Sequence, residues 1–212
     1  MHSENVRKAA EQLKNGSFVV IYDGDEREGE ADLVFHAAFA SYDKIEKLRT
    51  DAGGLVCVAL GKEEAEKLRL PFYTDVLRKA GLAGLACRKT PYGDEPAFSL
   101  SVNHKETRTG ITDQDRAFTI RELTLLLKSG APYENFVNNF YSPGHVFLLI
   151  SRGLEARRGH TELATELAAI AGLVKAVVIC EMLSTKRAMR KESARAYAEK
   201  NGLVFVEGRE FG

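Results

Sequence analysis

Residues 18–35 read FVVIYDGDEREGEADLVF, and the organisation of the chain follows from this stretch. An apolar, largely β-branched run, Phe18-Val19-Val20-Ile21-Tyr22, leads into ten residues, Asp23 to Asp32, of which six are carboxylates and only Arg27 is a cation. A second apolar run, Leu33-Val34-Phe35, follows at once. A strand therefore delivers an acidic segment to the edge of a core, and the next strand returns to that core. Carboxylates crowded in this way repel one another, and their pKa values rise unless a cation offsets the repulsion. Oxygen-rich clusters of this kind hold Mg²⁺, which keeps several waters and takes one or two carboxylates. A solvated acidic loop has the same composition, so the segment alone leaves both readings open.

Working outward, Val6, Ala9, Ala10 and Leu13 share one face of a helix over 4–14, stopped by Gly16. Strands are expected at 17–22 and 31–36, a helix over 42–51 capped by Ser41, a strand at 54–60 and a charged helix at 62–69. Residues 84–96 contain Gly84, Pro91, Gly93 and Pro96 without periodicity and read as a long, lid-like loop. Phe98 to Val102 alternates as a half-buried strand, and Thr119 with Glu122 has capping-box spacing for a helix over 119–128. His145 opens a strand over 146–150, and a helix follows from about 161 to 171. A buried strand over 177–180 ends at Glu181, and a charged helix at 187–201 precedes a last strand at 203–206. Strands and helices interleave without a strict βαβ rhythm, which predicts a mixed α/β (α+β) sheet flanked by helices. No linker divides residues 1–212, so one catalytic domain is expected.

Composition narrows the function. The 212 residues are 44% hydrophobic and 28% charged, which is ordinary for a globular protein with a sizeable core. Thirty basic and thirty acidic residues cancel, and there is no Trp, so neither nucleic acid nor a membrane surface is an expected partner. Cys57, Cys87 and Cys180 show no paired spacing, which excludes a disulfide framework and fits a reducing cytoplasm; Cys57 reads as a core thiol. Met1 to Glu11 is polar and the apolar runs are short, so neither a leader nor a membrane span is expected.

Four further segments carry chemistry. Arg157-Arg158-Gly159-His160-Thr161-Glu162 sits between a strand and a helix, where a helix start and two guanidinium groups suit an anion. His160 is a possible metal ligand there, although an ordinary cap preceded by solvated arginines is the competing reading. In Asn138 to His145, Pro143-Gly144 reads as a turn that poises His145 as a proton shuttle, or as a histidine that merely bonds the backbone. Glu181 ends an apolar strand, where a half-desolvated carboxylate makes a general acid or base; a salt bridge to Lys186 or Arg187 is the alternative. Thr107 to Arg116 is a polar, Gly-containing turn whose hydroxyls suit a phosphate, and Thr112 with Asp115 equally reads as a helix cap.

Asp25 to Asp32, Thr109 to Arg116, Pro143-Gly144-His145, Arg157 to Glu162 and Glu181 occur together, in this order, over residues 4–207. In this the chain resembles the 3,4-dihydroxy-2-butanone-4-phosphate synthases. The resemblance implies that family's single-domain fold and a lyase of riboflavin biosynthesis. Such a lyase converts ribulose 5-phosphate into 3,4-dihydroxy-2-butanone 4-phosphate and formate through a metal-stabilised enediolate and a carbon-skeleton rearrangement. It implies Mg²⁺ or Mn²⁺, one or two ions per site, and a homodimer with active sites near the subunit interface. By motif, Glu28 and His160 are the implied metal ligands, and Arg27, Glu28 and Asp32 contact the sugar. Arg157, Arg158, Gly159, His160 and Thr161, with Thr112, hold the phosphate. His145 and Glu181, with Asp32, are the implied acid–base groups, and the loop carrying Thr90 to Gly93 closes over the substrate. Ala31 before Asp32 departs from common family variants and leaves the ligand position intact. The cyclohydrolase domain fused to some members is expected to be absent. A metal-dependent sugar-phosphate isomerase or aldolase shares the first chemical step and is one rival reading; an RNA- or nucleotide-binding module of related fold is another.

Overall fold

In the computed structural model, which describes residues 2–212, the two apolar runs around the acidic segment pair with each other. Helix α1 (Glu4–Lys14) precedes β1 (Val19–Tyr22), which runs antiparallel to β2 (Ala31–His36) with Ile21 opposite Asp32. Next come α2 (Tyr42–Lys47), capped by Ser41 as expected, and a π-helical turn at Leu48–Ala52. β3 (Cys57–Leu60), α3 (Lys62–Lys67), α4 (Tyr73–Lys79), the single-turn α5 (Ala83–Ala86) and β4 (Phe98–His104) follow. The second half comprises α6 (Asp113–Ser129), α7 (Tyr133–Asn139), β5 (Phe140–Ile150), α8 (His160–Ile170) and β6 (Ala176–Glu181). A small hairpin of β7 (Leu183–Ser184) and β8 (Arg187–Ala188), then α9 (Lys191–Lys200) and β9 (Phe205–Glu207), complete it.

Seven strands form one mixed sheet in the order β4-β5-β3-β6-β2-β1-β9. β1/β9 and β3/β5 are parallel and the remaining pairs antiparallel. Side chains alternate between two buried layers, as the period of two requires. Val20, Leu33, Phe35, Val58, Leu148 and Val178 face α2, α6 and α9. Val19, Ile21, Val34, Ala59, Val177 and Ile179 face α1 and α8, whose Leu13, Leu163 and Leu167 fill the second layer. Burial on both faces explains the near-continuous apolar runs in the central strands. Asp32 and Glu181 have the parity of the α8 face, and they are direct partners across the β2/β6 ladder. Among the described residues no helix is long and apolar enough to cross a membrane.

The structure corrects several local expectations. Helix α6 starts at Asp113, not near Thr119: the Thr112 hydroxyl caps it by accepting from Asp115 N–H at 3.0 Å. Thr119 is fully buried and accepts from His104 N–H at 3.1 Å. The stretch expected to be unstructured loop from 84 begins inside α5, and α4 and α7 carry no strong sequence signature. Pro143-Gly144 does not form a turn. They lie within β5 as part of a bulge, 142–145, that no β4 residue opposes: the register passes from Val102 opposite Val146 to Asn103 opposite Tyr141. There the strands approach so closely that a methyl on Gly144 would collide with the Val102 carbonyl carbon. Residues 187–190 belong to the small hairpin and its exit, so α9 begins at Lys191.

Candidate active site

The acidic segment folds around Asp23. Its carboxylate accepts from Gly24 N–H (2.9 Å), Glu28 N–H (3.0 Å), Glu30 N–H (3.1 Å) and the Arg27 guanidinium (3.1 Å). Four donors fill the lone pairs of the two oxygens. Asp23 thus curls the loop back on β1 and directs Glu28 towards α8. Asp23, Glu28 and His160 offer ligand atoms within 4.8 Å of one another. Because the oxygens of Asp23 are already committed, Glu28 and His160 remain as the pair free to take an ion.

His160 opens α8 and is buried. Its Nε2–H donates to the Glu30 carbonyl at 3.1 Å, and Nδ1 lies 3.7 Å from Glu28 Oε2. An imidazole that gives one N–H to a backbone carbonyl and turns the other nitrogen to a carboxylate is the arrangement that orients a metal-binding histidine. Glu28 and His160 are the residues that would hold such an ion. Asp32 Oδ1 adds the third observation: it is buried with no hydrogen-bond partner, 3.7 Å from His160 Nε2. The donor set therefore fits a hard divalent cation.

The electrostatics follow from this crowding. Burial opposes ionisation of Glu28, but the hydrogen bond and charge of His160, with Tyr92 and Arg27, prevail and hold it at about 2. Burial likewise opposes the His160 imidazolium, yet Asp32, Glu28 and Asp23 raise it to about 10. Asp32 is pushed up to about 7 by burial and by Glu181, Glu28 and Asp23, against the attraction of His160. Three carboxylates and one imidazole thus favour added positive charge at this point, from a proton or from a metal.

The anion side is built by the turn before α8. Gly159 takes the N-cap position, and a methyl there would collide with the Arg157 guanidinium, which folds back over it. Glu162 fixes this fold: its buried carboxylate accepts from Arg157 at 2.6 Å, Arg152 N–H at 3.0 Å and Gly159 N–H at 3.3 Å. Arg157 also reaches Glu28 at 3.6 Å and Asp94 at 3.3 Å. Asp94 simultaneously accepts from Arg27 at 2.6 Å, and the Arg27 guanidinium lies over the Tyr92 ring. The loop expected to act as a lid is therefore folded onto the site, with Asp94 joining both arginines.

These elements enclose a cavity of about 230 Å³, lined by Glu28, Asp32, Cys57, Thr90, Tyr92, Arg157, His160, Thr161, Ile179 and Glu181. Arg27, Glu28, Asp32, Arg157, Gly159, His160, Thr161 and Glu181 are thus brought to one place. Glu181 is exposed at the mouth rather than half-buried, and its carboxylate accepts from Leu55 N–H at 3.4 Å. It has no ion-pair partner among the described residues. Three expected site residues stand outside the cavity. Arg158 turns to the far side of the acidic loop and donates to the Gly208 carbonyl at 3.0 Å. Thr112 is exposed at the start of α6. His145 is exposed on β5, beside Asn103.

Sequence reasoning missed Asp23, Asp94 and Glu162 as organisers of the site. An Asp-Gly pair at a strand end signalled the first, and a Glu three residues beyond an N-cap signalled the last; an isolated loop aspartate has no such signature. Cys57 is the core thiol expected, yet it also lines the cavity, and burial, with Glu181 and Asp32, raises it well above the ordinary thiol range.

Comparison with known proteins fits this geometry. The model of the 3,4-dihydroxy-2-butanone 4-phosphate synthase family matches residues 7–211. The chain is 42% identical over 221 residues to the synthase of that name from Methanosarcina mazei, covering 98% of this chain and 90% of the relative. It is 44% identical over 209 residues to that of Archaeoglobus fulgidus, covering 93% and 88%. A crystal structure of a 3,4-dihydroxy-2-butanone 4-phosphate synthase in complex with two magnesium ions superposes with a TM-score of 0.80 at 29% identity, covering 97% of this chain and 93% of that one. The enzyme from Candida albicans gives 0.76 at 31% identity, covering 97% and 94%. Matched by the family model over nearly its whole length, and more than 40% identical to relatives that it covers almost end to end, the chain belongs to the 3,4-dihydroxy-2-butanone 4-phosphate synthase family.

Proposed function

We propose that residues 1–212 form one catalytic domain that converts ribulose 5-phosphate into 3,4-dihydroxy-2-butanone 4-phosphate and formate, supplying carbons for riboflavin. The observation that carries this reading is one cavity holding a cation-seeking Glu28/His160 pair, the Arg157 guanidinium and two neighbouring carboxylates. Mg²⁺, with Mn²⁺ also serving, is the proposed cofactor, one or two ions per site. A divalent cation on Glu28 and His160 supplies Lewis-acid stabilisation of the negative charge that grows on the sugar oxygens when a carbon-bound proton leaves.

The chain's own groups do the rest. Arg157, anchored by Glu162, presents fork-shaped donors to the phosphate, whose binding energy positions the reacting carbons. Asp32, poised at about 7, and Glu181 stand side by side on β2 and β6. Between them they can accept the carbon-bound proton and return one to the departing hydroxyl. The Thr90–Asp94 loop shields the reactive intermediate from water. His145 and Thr112 lie outside this cavity, and we assign them to the site of the second subunit of a homodimer. Exposed apolar side chains on the same elements, Ile111 and Tyr141, support that assignment. A cytoplasmic enzyme fits the free thiols.

Incubation with ribulose 5-phosphate and Mg²⁺, with formate assayed against an EDTA control, tests the reading. Equimolar formate and four-carbon phosphate are expected only with the metal. An isomerase would consume substrate without formate, and that result would overturn the assignment. The RNA-binding alternative has nothing in its favour beyond general fold likeness. The chain carries no net charge, and the cavity is lined by carboxylates.

A further inference from the structure

We infer that Asn103 is a positioning residue for His145: it holds the imidazole by Nδ1, so that Nε2 is the reacting nitrogen and carries the proton in the neutral ring. This inference rests on the reading of His145 as an acid–base group, and it adds the atom and the state.

The argument is one of hydrogen-bond satisfaction. Asn103 lies on β4 and is only 2% exposed, whereas His145 on the adjacent β5 is exposed. The Asn103 amide touches His145 twice. Its Oδ1 accepts the His145 backbone N–H at 2.8 Å, and its Nδ2 stands 3.2 Å from the imidazole Nδ1. A backbone N–H can only donate, so the first bond settles which end of the amide is oxygen. Nδ2 then has two protons to place. One goes to the Tyr141 hydroxyl at 3.1 Å, and the imidazole Nδ1 is the acceptor for the other. Oδ1 lies farther from Nδ1, at 3.4 Å, and already accepts the backbone N–H, so the shorter Nδ2 contact is the one that an accepting Nδ1 satisfies. Leaving a buried amide proton unmet costs about 1–3 kcal/mol. Nδ1 is therefore a lone pair that accepts, and the single proton of the neutral ring sits on Nε2.

The amide is also held in place from its other side. Gly110, with φ of 81°, packs directly on it, and a side chain at that position would collide with the Asn103 amide atoms. This accounts for the glycine in Thr107 to Asp115, whose loop is tied down by Asp115 accepting from Gly110 N–H at 2.9 Å. Polar turn and histidine thus form one device: the turn packs the amide, the amide fixes the ring, and the ring presents an N–H outward. A histidine in this state acts first as a hydrogen-bond donor to an oxygen of the sugar, as neutral imidazoles do where a carbonyl or hydroxyl must be polarised.

Nitrogen-15 NMR of the histidine side chains, assigned with His145→Gln, reads the tautomer directly at a pH where the ring is neutral. The wild-type protein is expected to show the proton on Nε2. Asn103→Asp keeps an acceptor for the backbone N–H but replaces the donor facing Nδ1. It is expected to move the proton to Nδ1 and to lower kcat about 10- to 100-fold with little change in KM, the scale of lost support behind a reacting group. Asn103→Ser, which leaves a smaller side chain, covers the case in which the aspartate does not fold and is expected to give mixed tautomers. A wild-type ring protonated on Nδ1, or variants whose tautomer matches wild type, would overturn the inference. Undiminished turnover in His145→Ala would instead remove the catalytic reading while leaving the tautomer result standing.

Discussion

Asp32 is where function sets a cost on the fold. Its carboxyl titrates near 7 instead of the usual 3.8, because burial and the charges of Glu181, Glu28 and Asp23 outweigh His160. For a raised carboxyl, the folded chain keeps a proton that the unfolded chain gives up. Stability is therefore complete below the unfolded value, declines as pH rises through the interval and stays reduced above about 7. Each unit in that interval is worth about 1.4 kcal/mol, so the whole shift corresponds to roughly 4 kcal/mol. Asn is nearly isosteric and cannot ionise. Relative to wild type, Asp32→Asn should therefore gain about 2 kcal/mol of unfolding free energy between about pH 5.5 and about pH 8. The measurement is urea unfolding of both proteins in EDTA, since a bound cation would offset the repulsion and hide the effect. In the same variant, turnover should fall at least about 100-fold, the lower scale for a positioned acid–base group. A stability difference between variant and wild type that stays flat with pH would show that Asp32 is not the strained carboxylate described.

Three other outcomes follow from the same geometry. Glu28→Gln should abolish metal-dependent formate release while leaving the far-ultraviolet circular dichroism unchanged; near-normal formate release would remove Glu28 from the metal site. Arg157→Ala deletes a charged donor towards the phosphate, worth about 10- to 100-fold in substrate affinity. It also strands the buried Glu162 carboxylate, at a cost of about 3 kcal/mol in unfolding; unchanged inorganic-phosphate inhibition would refute the anchor. Asp94→Asn loosens the contacts to Arg27 and Arg157, which are partly exposed and together worth about 1 kcal/mol. Hydrogen exchange over residues 88–96 should then quicken about five-fold, and unaltered protection there would mean that something else holds the loop down.

The residues legible in the sequence are those whose roles are decided locally. The acidic loop stood out because two apolar strands bracket it, and the Gly-His-Thr turn because a helix must start where its periodicity starts. The Ser41 cap and the Gly16 stop are equally local. What could not be read depends on neighbours distant in sequence. Pro143-Gly144 has the composition of a turn, but it sits in a bulge within β5, where Gly144 and His145 N–H donate to the Ser101 and Asn103 side chains of β4 and the strand resumes pairing on either side. Thr119 and Glu122 have capping-box spacing, yet the helix begins a turn and a half earlier because Thr112 is the residue whose backbone is still extended. Asp94 becomes part of the site only because its loop folds back across two arginines.

The pairing of Asp32 with Glu181 is the clearest case. Each was recognisable alone as a carboxylate at a strand end, and either could have been an ordinary surface acid. Their chemistry comes from the strand order, which inserts β6 between β3 and β2 and sets the two carboxylates opposite each other. Repulsion between them then helps to lift Asp32 into the range where it can both take and give a proton at neutral pH. A one-residue slip of that ladder would turn Asp32 to the opposite face, away from His160, and end both the repulsion and the reactivity. The apolar residues Leu33, Val34, Cys180 and Ile179, which fix the register on both faces, are in this sense as necessary to the chemistry as the acids they align.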